Sequence, residues 1–586
     1  MFVIATAGHV DHGKSTLVRA LTGMEPDRWA EERARGMTID LGFAWTTLEQ
    51  GPTVAFVDVP GHERFIGNML AGLGPAPAVM MVVGADEGWR PQSAEHLAAI
   101  DALGLRHGLL VVTRSDLADP GPATTQALEH VSHSSLGSVE AVQVSGRTGA
   151  GMDTLRNSLY RLVSRLPEPC TTDRVRLWVD RTFTVRGSGT VVTGTLTAGM
   201  LSVGDPLVLG GKRLRIKGLQ TLGHPVDDVQ AVSRVAVNLR GASAQEIPRG
   251  SALLTPDAWV LASEVDVRIT PAVAEVPANG VLHLGSGAFP VRIRPLADNV
   301  VRLTLVTPLP LEPGDRAILR NPGLRRLEGG VEILDVAPPL LHRRGAAARR
   351  GRDLSTTDGL PDLQHQVDRR GAVRAEELRR LGIDVDRPAQ VRREGGWLVT
   401  PRQWEDWAAR LLTSLERNDS AHPLQPGLSL AAARRSAGVP DADLFRRLAA
   451  AAGLAVIDGR VQRPGSQPTL GAAEAGVAEL ENSLRHHAFA APERPDLIRL
   501  KLGRSELAAA ERVGRILRLS DDVVLLPSAP GLALELLRDL PQPFTTSAAR
   551  AALQTTRRVA IPLLEHLDRL GWTRSVQPGS RVVHKL

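Results

Sequence analysis

The chain has 586 residues, of which 43% are hydrophobic and 23% are charged. This composition excludes an intrinsically disordered protein, and the length predicts roughly three to six domains. The formal net charge of +6 favours an anionic partner. No apolar run is long enough to cross a membrane, and Cys170, the only cysteine, cannot form a disulfide within the chain. We therefore expect a soluble, cytoplasmic protein without a membrane partner.

A phosphate-binding loop follows the first predicted strand. Residues 8–16 read GHVDHGKST and lie between the apolar run 2–7 and a predicted helix from Leu17. Backbone N–H groups of such a loop bind phosphates at a helix N-terminus. We expect Lys14 to contact the β- and γ-phosphates and Ser15 to hold Mg²⁺. The candidate nucleotide-binding residues of this loop are Gly8, His9, Val10, Asp11, His12, Gly13, Lys14, Ser15 and Thr16.

Two further segments have the pattern of loops that sense a γ-phosphate. Thr38 lies in RGMTID, where weak periodicity predicts a loop. The short apolar strand 53–57 ends in DVPG, in which Asp58 is expected to reach Mg²⁺ through water and Gly61 to donate its N–H to the phosphate. Thr38 is expected to complete the metal ligands when its loop closes. In this order behind the first loop, the segments predict a nucleotide-dependent switch.

The base-reading residues are predicted at the end of strand 109–112, which continues as TRSD. The usual GTPase pattern is Asn-Lys-x-Asp. The Asp116 carboxylate can accept two N–H bonds from guanine, and adenine offers no matching pair. Arg114 replaces the usual Lys and can still stack on the base. Thr113 replaces the usual Asn and loses part of the bonding capacity of an amide.

A weaker motif follows the predicted strand 139–144. Ser145 and Gly146 fit the last GTPase motif, in which a backbone N–H reads the guanine carbonyl. Taken alone, the dipeptide indicates only a turn. With the motifs before it, the dipeptide predicts the second half of a guanine site.

Three segments together, GHVDHGKST, RGMTID and DVPGHERF, resemble the translational GTPases, the family of elongation factor Tu. The resemblance implies that His62 orients the attacking water once the ribosome is engaged, and that Val10 and Met37 screen that water beforehand. The alternative for His62 is a solvated loop histidine. Hydrolysis is then expected to be slow in isolation, and an activator gain of roughly 10⁵ would remove about 7 kcal/mol of barrier.

Short alternating strands begin near Arg174 and indicate all-β domains. Residues 181–196 resemble the opening of the second domain of the same family, which is a β-barrel, and residues 264–336 resemble its third-domain barrel. The resemblance implies that the first three domains clasp an aminoacylated tRNA, with the amino-acid pocket where the first two meet. The predicted domains are a GTP-binding domain over 1–170 and β-barrels over 171–260 and 261–341.

About 240 further residues follow the third predicted domain. The basic segment 342–352 predicts a linker, which is either a solvated tether or an RNA contact. Beyond it, an amphipathic helix followed by two short strands recurs, which predicts four winged-helix units. Structural spacers are the alternative for the first two. The predicted units are linker and winged helix 1 over 342–400, winged helix 2 over 401–470, winged helix 3 over 471–535 and winged helix 4 over 536–586.

The last predicted unit is strongly basic. From residue 541 to the end, seven basic residues face two acidic ones, so +5 of the net charge of +6 lies there. Such a patch predicts phosphate contacts, with Arg557 and Arg558 against the backbone and loop bases of an RNA hairpin. A solvated basic face is the alternative, and Pro562 complicates the predicted helix. The candidate mRNA-binding residues are Arg550, Arg557, Arg558 and Arg574.

A multidomain chain with an α/β P-loop GTPase domain, two β-barrel domains and a tandem winged-helix C-terminal region resembles the bacterial selenocysteine-specific elongation factors. The stretches RGMTIDLGFAW and RRVAIPLLEHLDRLG carry this resemblance further. It implies a monomeric factor with GTP and Mg²⁺ as cofactors. It also implies delivery of selenocysteinyl-tRNA to the ribosome at UGA codons marked by an mRNA hairpin.

Selection of selenocysteine over serine has a physical basis, because a selenolate is anionic at neutral pH and a hydroxyl is not. A cation in the pocket would separate the two by about 1.5 to 3 kcal/mol, or roughly 10- to 150-fold. We expect Arg181 and Arg234 to supply that cation. Surface arginines on strands are the alternative.

Two other classes of function stay open. One is a GTPase that acts on the ribosome or in sulfate-activating chemistry without carrying tRNA. The other is an RNA-binding adaptor with a passive GTPase, against which the presence of Lys14, Thr38, Asp58 and His62 argues.

Overall fold

The computed structural model describes residues 1–26, 40–49, 51–62, 65–271, 277–321, 326–355, 362–457, 459–465 and 469–584. The chain divides into two compact units, Met1–Ala389 and Gln390–Leu586. Each unit is described by itself. Among the described residues, no helix combines the length and the apolar character that crossing a membrane requires.

The first domain alternates strands with helices. Its elements are β1 (Phe2–Ala7), α1 (Lys14–Thr22), β2 (Gly42–Thr47), β3 (Thr53–Asp58), α2 (Ile66–Leu73), β4 (Ala78–Gly84), α3 (Pro91–Ala102), β5 (Gly108–Thr113), α4 (Pro120–Ser132), β6 (Glu140–Gln143) and α5 (Met152–Val163). The described strands form one sheet in the order β2-β3-β1-β4-β5-β6, parallel except for the β2–β3 pair. The central strands are continuous apolar runs because both faces of the sheet are buried. The loops after β1, β3 and β5 therefore meet at one edge.

The second domain is antiparallel and packs around one apolar core. Its strands are β7 (Arg176–Trp178), β8 (Arg181–Val185), β9 (Gly189–Leu196), β10 (Met200–Ser202), β11 (Pro206–Leu209), β12 (Lys212–Thr221), β13 (His224–Val226), β14 (Asp228–Gln230), β15 (Ser233–Arg240) and β16 (Ala252–Leu254). The main sheet runs β7-β16-β11-β12-β15-β9-β8, with β13 on β12 and a separate β10–β14 pair. Strand β15 alternates buried and half-buried residues, which is the period of a strand with one face on a core.

The third domain is a closed barrel in the order β17-β20-β19-β18-β21-β22. These strands are β17 (Leu261–Thr270), β18 (Asn279–Leu284), β19 (Gly287–Pro295), β20 (Val300–Pro310), β21 (Arg316–Asn321) and β22 (Arg326–Asp335). Closure leaves the barrel without the unpaired strand edges that an open sheet has.

Arg174 joins the two β domains to the segment that follows them. Its guanidinium donates to the Ala258 carbonyl at 2.8 Å and to the Arg380 carbonyl at 2.7 Å, and it pairs with Glu312 at 2.6 Å. It also stacks 3.6 Å above the ring of Trp259. One side chain therefore contacts three successive parts of the chain.

Residues 346–352 of the basic segment belong to a docked helix, so the solvated-tether interpretation was wrong for them, whereas residues 342–345 are exposed. It leads into α6 (Ala346–Ser355), whose Leu354 is buried with Leu296 and Leu334. The elements after it are α7 (Leu363–Arg370), β23 (Ala372–Arg374) and α8 (Ala375–Arg380).

A buried ionic network fixes α6 to the third domain. Arg350 donates to Asp266 at 2.8 Å and also pairs with Asp335. Arg302 pairs with Asp266 at 2.7 Å, and Arg369 pairs with Asp335 at 2.7 Å. Because Asp266 is fully buried and Asp335 and Arg350 are each about 5% exposed, these pairs are shielded from solvent. The charge of Arg350 is therefore neutralised inside the protein and is not available to a partner at the surface.

The second unit repeats short helices followed by a hairpin. Its elements are β24 (Arg392–Glu394), β25 (Trp397–Val399), α9 (Pro401–Ala421), β26 (Leu428–Ser429), α10 (Leu430–Ala437), α11 (Ala442–Ala451), β27 (Ala455–Ile457), β28 (Arg460–Gln462), α12 (Glu474–His486), α13 (Arg494–Arg499), α14 (Arg504–Arg512), β29 (Leu517–Ser520), β30 (Val523–Leu525), α15 (Ala529–Arg538), β31 (Phe544–Thr545), α16 (Thr546–Ala552), α17 (Arg557–Arg569), β32 (Thr573–Gln577) and β33 (Ser580–Val583). The sheets β26-β28-β27 and β31-β33-β32 have the same order. One apolar core extends from Leu470 to Leu567, so the last two helix-hairpin repeats pack as one body. Helix α17 continues through Pro562.

Candidate functional site

The loop between β1 and α1 needs glycine at both ends. Gly8 has a φ of 134°, and a Cβ there would collide with the Val82 carbonyl. Gly13 has a φ of 74° and directly precedes α1. Both values lie in the region that favours glycine. Between them, the Val10 N–H donates to Gln92 Oε1 at 3.3 Å.

Lys14 and Gly61 lie against this loop. The Lys14 ammonium donates to the carbonyls of Gly8 at 3.0 Å and His9 at 2.8 Å. A Cβ on Gly61 would lie 2.7 Å from Val10 Cα and 2.8 Å from Lys14 Nζ. Only glycine therefore allows the loop after β3 to approach the first loop this closely. The arrangement brings the predicted phosphate contacts of both loops together.

Two of the three predicted Mg²⁺ ligands are hydrogen-bonded to each other. Ser15 Oγ donates to Asp58 Oδ2 at 2.7 Å, and Thr6 donates to Asp58 Oδ1 at 2.6 Å. Burial raises the pKa of the fully buried Asp58, while the Lys14 ammonium and the two hydroxyls oppose that rise. A hydroxyl beside a carboxylate is the hard-oxygen chemistry that Mg²⁺ prefers. Thr38 and Met37 lie outside the described residues.

His96 on α3 links the same two loops, and the sequence analysis did not identify it. Its Nδ1 accepts the Gly8 N–H at 3.0 Å, and its ring is also hydrogen-bonded to the backbone of Gly61. Burial lowers the pKa of His96 to about 3, so the imidazole is neutral and can accept at one nitrogen and donate at the other. The half-buried His62 follows Gly61 directly, with its ring centroid 6.1 Å from that of Phe65.

The two unusual residues of the TRSD motif hold the phosphate loop. The Thr113 hydroxyl donates to the His12 carbonyl at 2.7 Å. Arg114 donates to the Asp11 carbonyl and pairs with Asp86 at 2.8 Å and with Glu87 at 3.1 Å. Stacking of Arg114 on a base stays a prediction.

Asp116 lies beside the second predicted base loop. It is exposed and accepts a hydrogen bond from the Ser145 hydroxyl, which lowers the pKa of Asp116. A Cβ on Gly146 would lie 3.5 Å from Thr16 Cγ2, so this loop borders α1. The carboxylate is therefore an ionised acceptor at the edge of the sheet that carries the phosphate loop.

Arg181 and Arg234 line one pocket between the first and second domains. Arg234 stacks 3.9 Å above the ring of Phe43 and forms a two-pronged pair with Asp180, in which one bond measures 2.7 Å. Arg181 pairs with Asp40 at 2.9 Å and donates to the Leu41 carbonyl. Both guanidiniums thus already have carboxylate partners.

One donor of a pocket-lining arginine is unsatisfied. Within the described ranges, the buried Nε of Arg181 has no hydrogen-bond partner. Phe43 and Trp45 from the first domain and Phe183 from the second give the pocket apolar walls. Sequence reasoning did not identify Asp180 or Phe43, because neither residue type signals a pocket by itself.

The four candidate mRNA-binding arginines fall into two groups. Arg550 on α16, Arg557 at the start of α17 and Arg574 on β32 are exposed, and none has an ion pair within the described part of the chain. Arg558 instead donates to the carbonyls of Ala491 at 2.8 Å and Pro492 at 3.2 Å, and to that of Asp522. Its guanidinium fastens α17 to the preceding repeat.

The fold has the architecture of a GTPase of the translational class: a parallel sheet with a glycine-bounded loop before α1, followed by two β domains. The model of the Elongation factor Tu GTP binding domain matches residues 1–165, and that of the Elongation factor SelB winged helix matches residues 535–577. The selenocysteine-specific elongation factor of Escherichia coli (strain K12) is 31% identical over 619 residues, which cover 98% of this chain and 97% of that relative. The chain therefore belongs to the family of selenocysteine-specific elongation factors.

Two solved structures share the fold. A bacterial selenocysteine-specific elongation factor matches with a TM-score of 0.74 at 24% identity, covering all of both chains. The SelB elongation factor of Methanococcus maripaludis, in complex with the GTP analogue GppNHp, matches with a TM-score of 0.51 at 24% identity. That match covers 57% of this chain and 79% of the other.

Proposed function

We propose that this elongation factor binds GTP and selenocysteinyl-tRNA and delivers the tRNA to the ribosome at UGA codons marked by an mRNA hairpin. It acts as a monomer in the cytoplasm, and the ribosome triggers hydrolysis of GTP to GDP and phosphate. The first three domains carry the nucleotide and the tRNA. The last winged helix binds the hairpin.

The contacts of the two phosphate loops support the GTPase part of this proposal. Lys14 would exchange its bonds to the Gly8 and His9 carbonyls for bonds to the phosphates, and Gly61 would donate its N–H to the γ-phosphate. Ser15 and Asp58, together with Thr38, would hold Mg²⁺, which neutralises phosphate charge when it is bound. His62, carried by the peptide next to Gly61, would orient the attacking water.

The observation that carries the choice of cargo is the pocket of Arg181 and Arg234. A selenolate would compete with Asp40 and Asp180 for the two guanidiniums, and the N–H of Arg181 Nε, which has no partner among the described residues, would be the donor left for it. A neutral serine hydroxyl gains less from that donor and from the second guanidinium stacked on Phe43. The apolar walls lower the local dielectric constant and strengthen the attraction.

Three exposed arginines support hairpin binding. Arg550, Arg557 and Arg574 have guanidiniums that phosphate groups can reach without breaking an ion pair. Arg558 is left out of the proposed surface, because its guanidinium donates to three backbone carbonyls.

Filter binding of the full-length protein with GTP tests the cargo. We expect selenocysteinyl-tRNA to bind at least roughly tenfold more tightly than the seryl form of the same tRNA, and the preference to disappear with GDP. The seryl form is the matched control because only the selenium atom differs. Equal binding of the two would leave a translational GTPase with an RNA-binding tail, and the proposed cargo would be wrong.

A further inference from the structure

The hydroxyl of Thr113 is buried and donates its hydrogen bond within the protein. Thr113 is 4% exposed at the end of β5. Its Oγ1 lies 2.7 Å from the His12 carbonyl and 3.3 Å from the Val83 carbonyl, so its proton points at the phosphate loop. A threonine has one O–H donor and no other. Position 113 therefore has no donor left for a bound base.

Neither Asp116 nor Arg114 replaces that donor. Guanine presents two acceptors, N7 and O6, on its major-groove edge, and O6 also lies beside the N1–H group of the pairing edge. Asp116, as a carboxylate, can only accept and so reads the N–H groups. The guanidinium of Arg114 is directed at Asp86, Glu87 and the Asp11 carbonyl. An asparagine at position 113 would differ, because its amide could donate one N–H to the loop and the other to N7.

We propose that this protein selects guanine without reading N7, and that Thr113 is a positioning residue that holds the phosphate loop through His12. Selection then rests on the two N–H groups that Asp116 accepts, with O6 read near Ser145 and Gly146. This inference rests on the proposed binding of GTP.

Competition against a fluorescent GDP on the full-length protein tests the inference with three nucleotides. 7-Deaza-GTP, in which a C–H group replaces N7, should bind within about twofold of GTP, because no hydrogen bond is lost. Inosine triphosphate, which lacks the 2-amino group, should bind roughly 5- to 150-fold more weakly, because an oxygen of Asp116 is left without its donor.

Variants at position 113 separate base reading from loop positioning. Thr113→Asn should gain a preference for GTP over 7-deaza-GTP of about 2- to 12-fold, the effect of one hydrogen bond. Thr113→Val should weaken both nucleotides by the same factor, and Thr113→Ser, which keeps the hydroxyl, should bind like the natural protein.

The outcomes are distinguishable. If the natural protein binds GTP but rejects 7-deaza-GTP by more than about fivefold, N7 is read and this inference is wrong. If Thr113→Asn gains no preference, position 113 does not face N7. The explanation that Thr113 removes the contact to N7 is then wrong. If the protein binds no GTP at all, the proposed function itself fails.

Discussion

Replacing Arg350 with methionine should loosen the third domain. The change removes the guanidinium that bonds Asp266 and Asp335, while Arg302 and Arg369 each keep one of these carboxylates. Two buried charge-assisted bonds are lost, each contributing about 1.5 to 3 kcal/mol. Removal of one partner from a buried ionic network typically costs about 3 to 5 kcal/mol. We therefore expect the free energy of opening this region to fall by about that amount.

Hydrogen exchange of the full-length protein, read by mass spectrometry, measures this loss locally. A decrease of about 3 to 5 kcal/mol in the free energy of opening speeds exchange by roughly 150- to 5,000-fold, and we expect this change in peptides from β17, β22 and α6. Arg349→Met is the control, because Arg349 is the exposed neighbour on the same helix and should change stability by less than about 0.5 kcal/mol. Equal exchange in the two variants would refute the anchoring role of the network.

Three further predictions concern the proposed tRNA pocket, the proposed RNA-binding surface and the dependence of stability on pH. Arg181→Ala and Arg234→Ala should each lower the preference for selenocysteinyl-tRNA over seryl-tRNA, by up to roughly 10- to 150-fold; an unchanged preference in both, measured by filter binding, would remove the arginines from the pocket hypothesis. Arg557→Ala should weaken hairpin binding and reduce its salt slope by about 1 at unchanged melting temperature. Arg558→Ala should lower the melting temperature, and the reverse pattern would contradict the separation of the two roles. Burial holds the pKa of His96 at about 3 against 6.5 unfolded, so below pH 6.5 the unfolded chain binds a proton that the folded protein does not. Stability should therefore fall as pH decreases from 6.5 toward 3, by about 2 kcal/mol at pH 5, and His96→Gln should flatten this slope in denaturant titrations; an equal slope in the variant would assign the effect to other groups.

Local chemistry made the nucleotide site predictable from the sequence. Only glycine tolerates the positive φ of Gly13 and the close approach of the backbone at Gly61. The glycines of the motif therefore indicate the local backbone geometry directly from the sequence. The predicted fold class and family are confirmed by the matched domains and relatives. The individual domain boundaries and the roles of the site residues stay predictions.

Contacts between distant residues were not predictable in the same way. Arg350 lies in a run of arginines, which ordinarily indicates a solvated surface, whereas its partner Asp266 lies 84 residues earlier in the chain. His96 is a lone histidine on a helix, and its bonds to Gly8 and Gly61 exist only after the sheet has formed. The pairing of Asp180 with Arg234 could not be predicted, because the two residues are 54 positions apart and meet only in the folded domain.

Arg174 has a mechanical consequence. Its guanidinium holds a carbonyl of the second domain, a carboxylate of the third and the Arg380 carbonyl at the end of α8. A pull on α8 would therefore be shared at once between both β domains, and it would not need to travel along the chain through α6 and α7. The Arg174 side chain therefore couples the position of α8 to both β domains, and the second of these domains borders the pocket of Arg181 and Arg234.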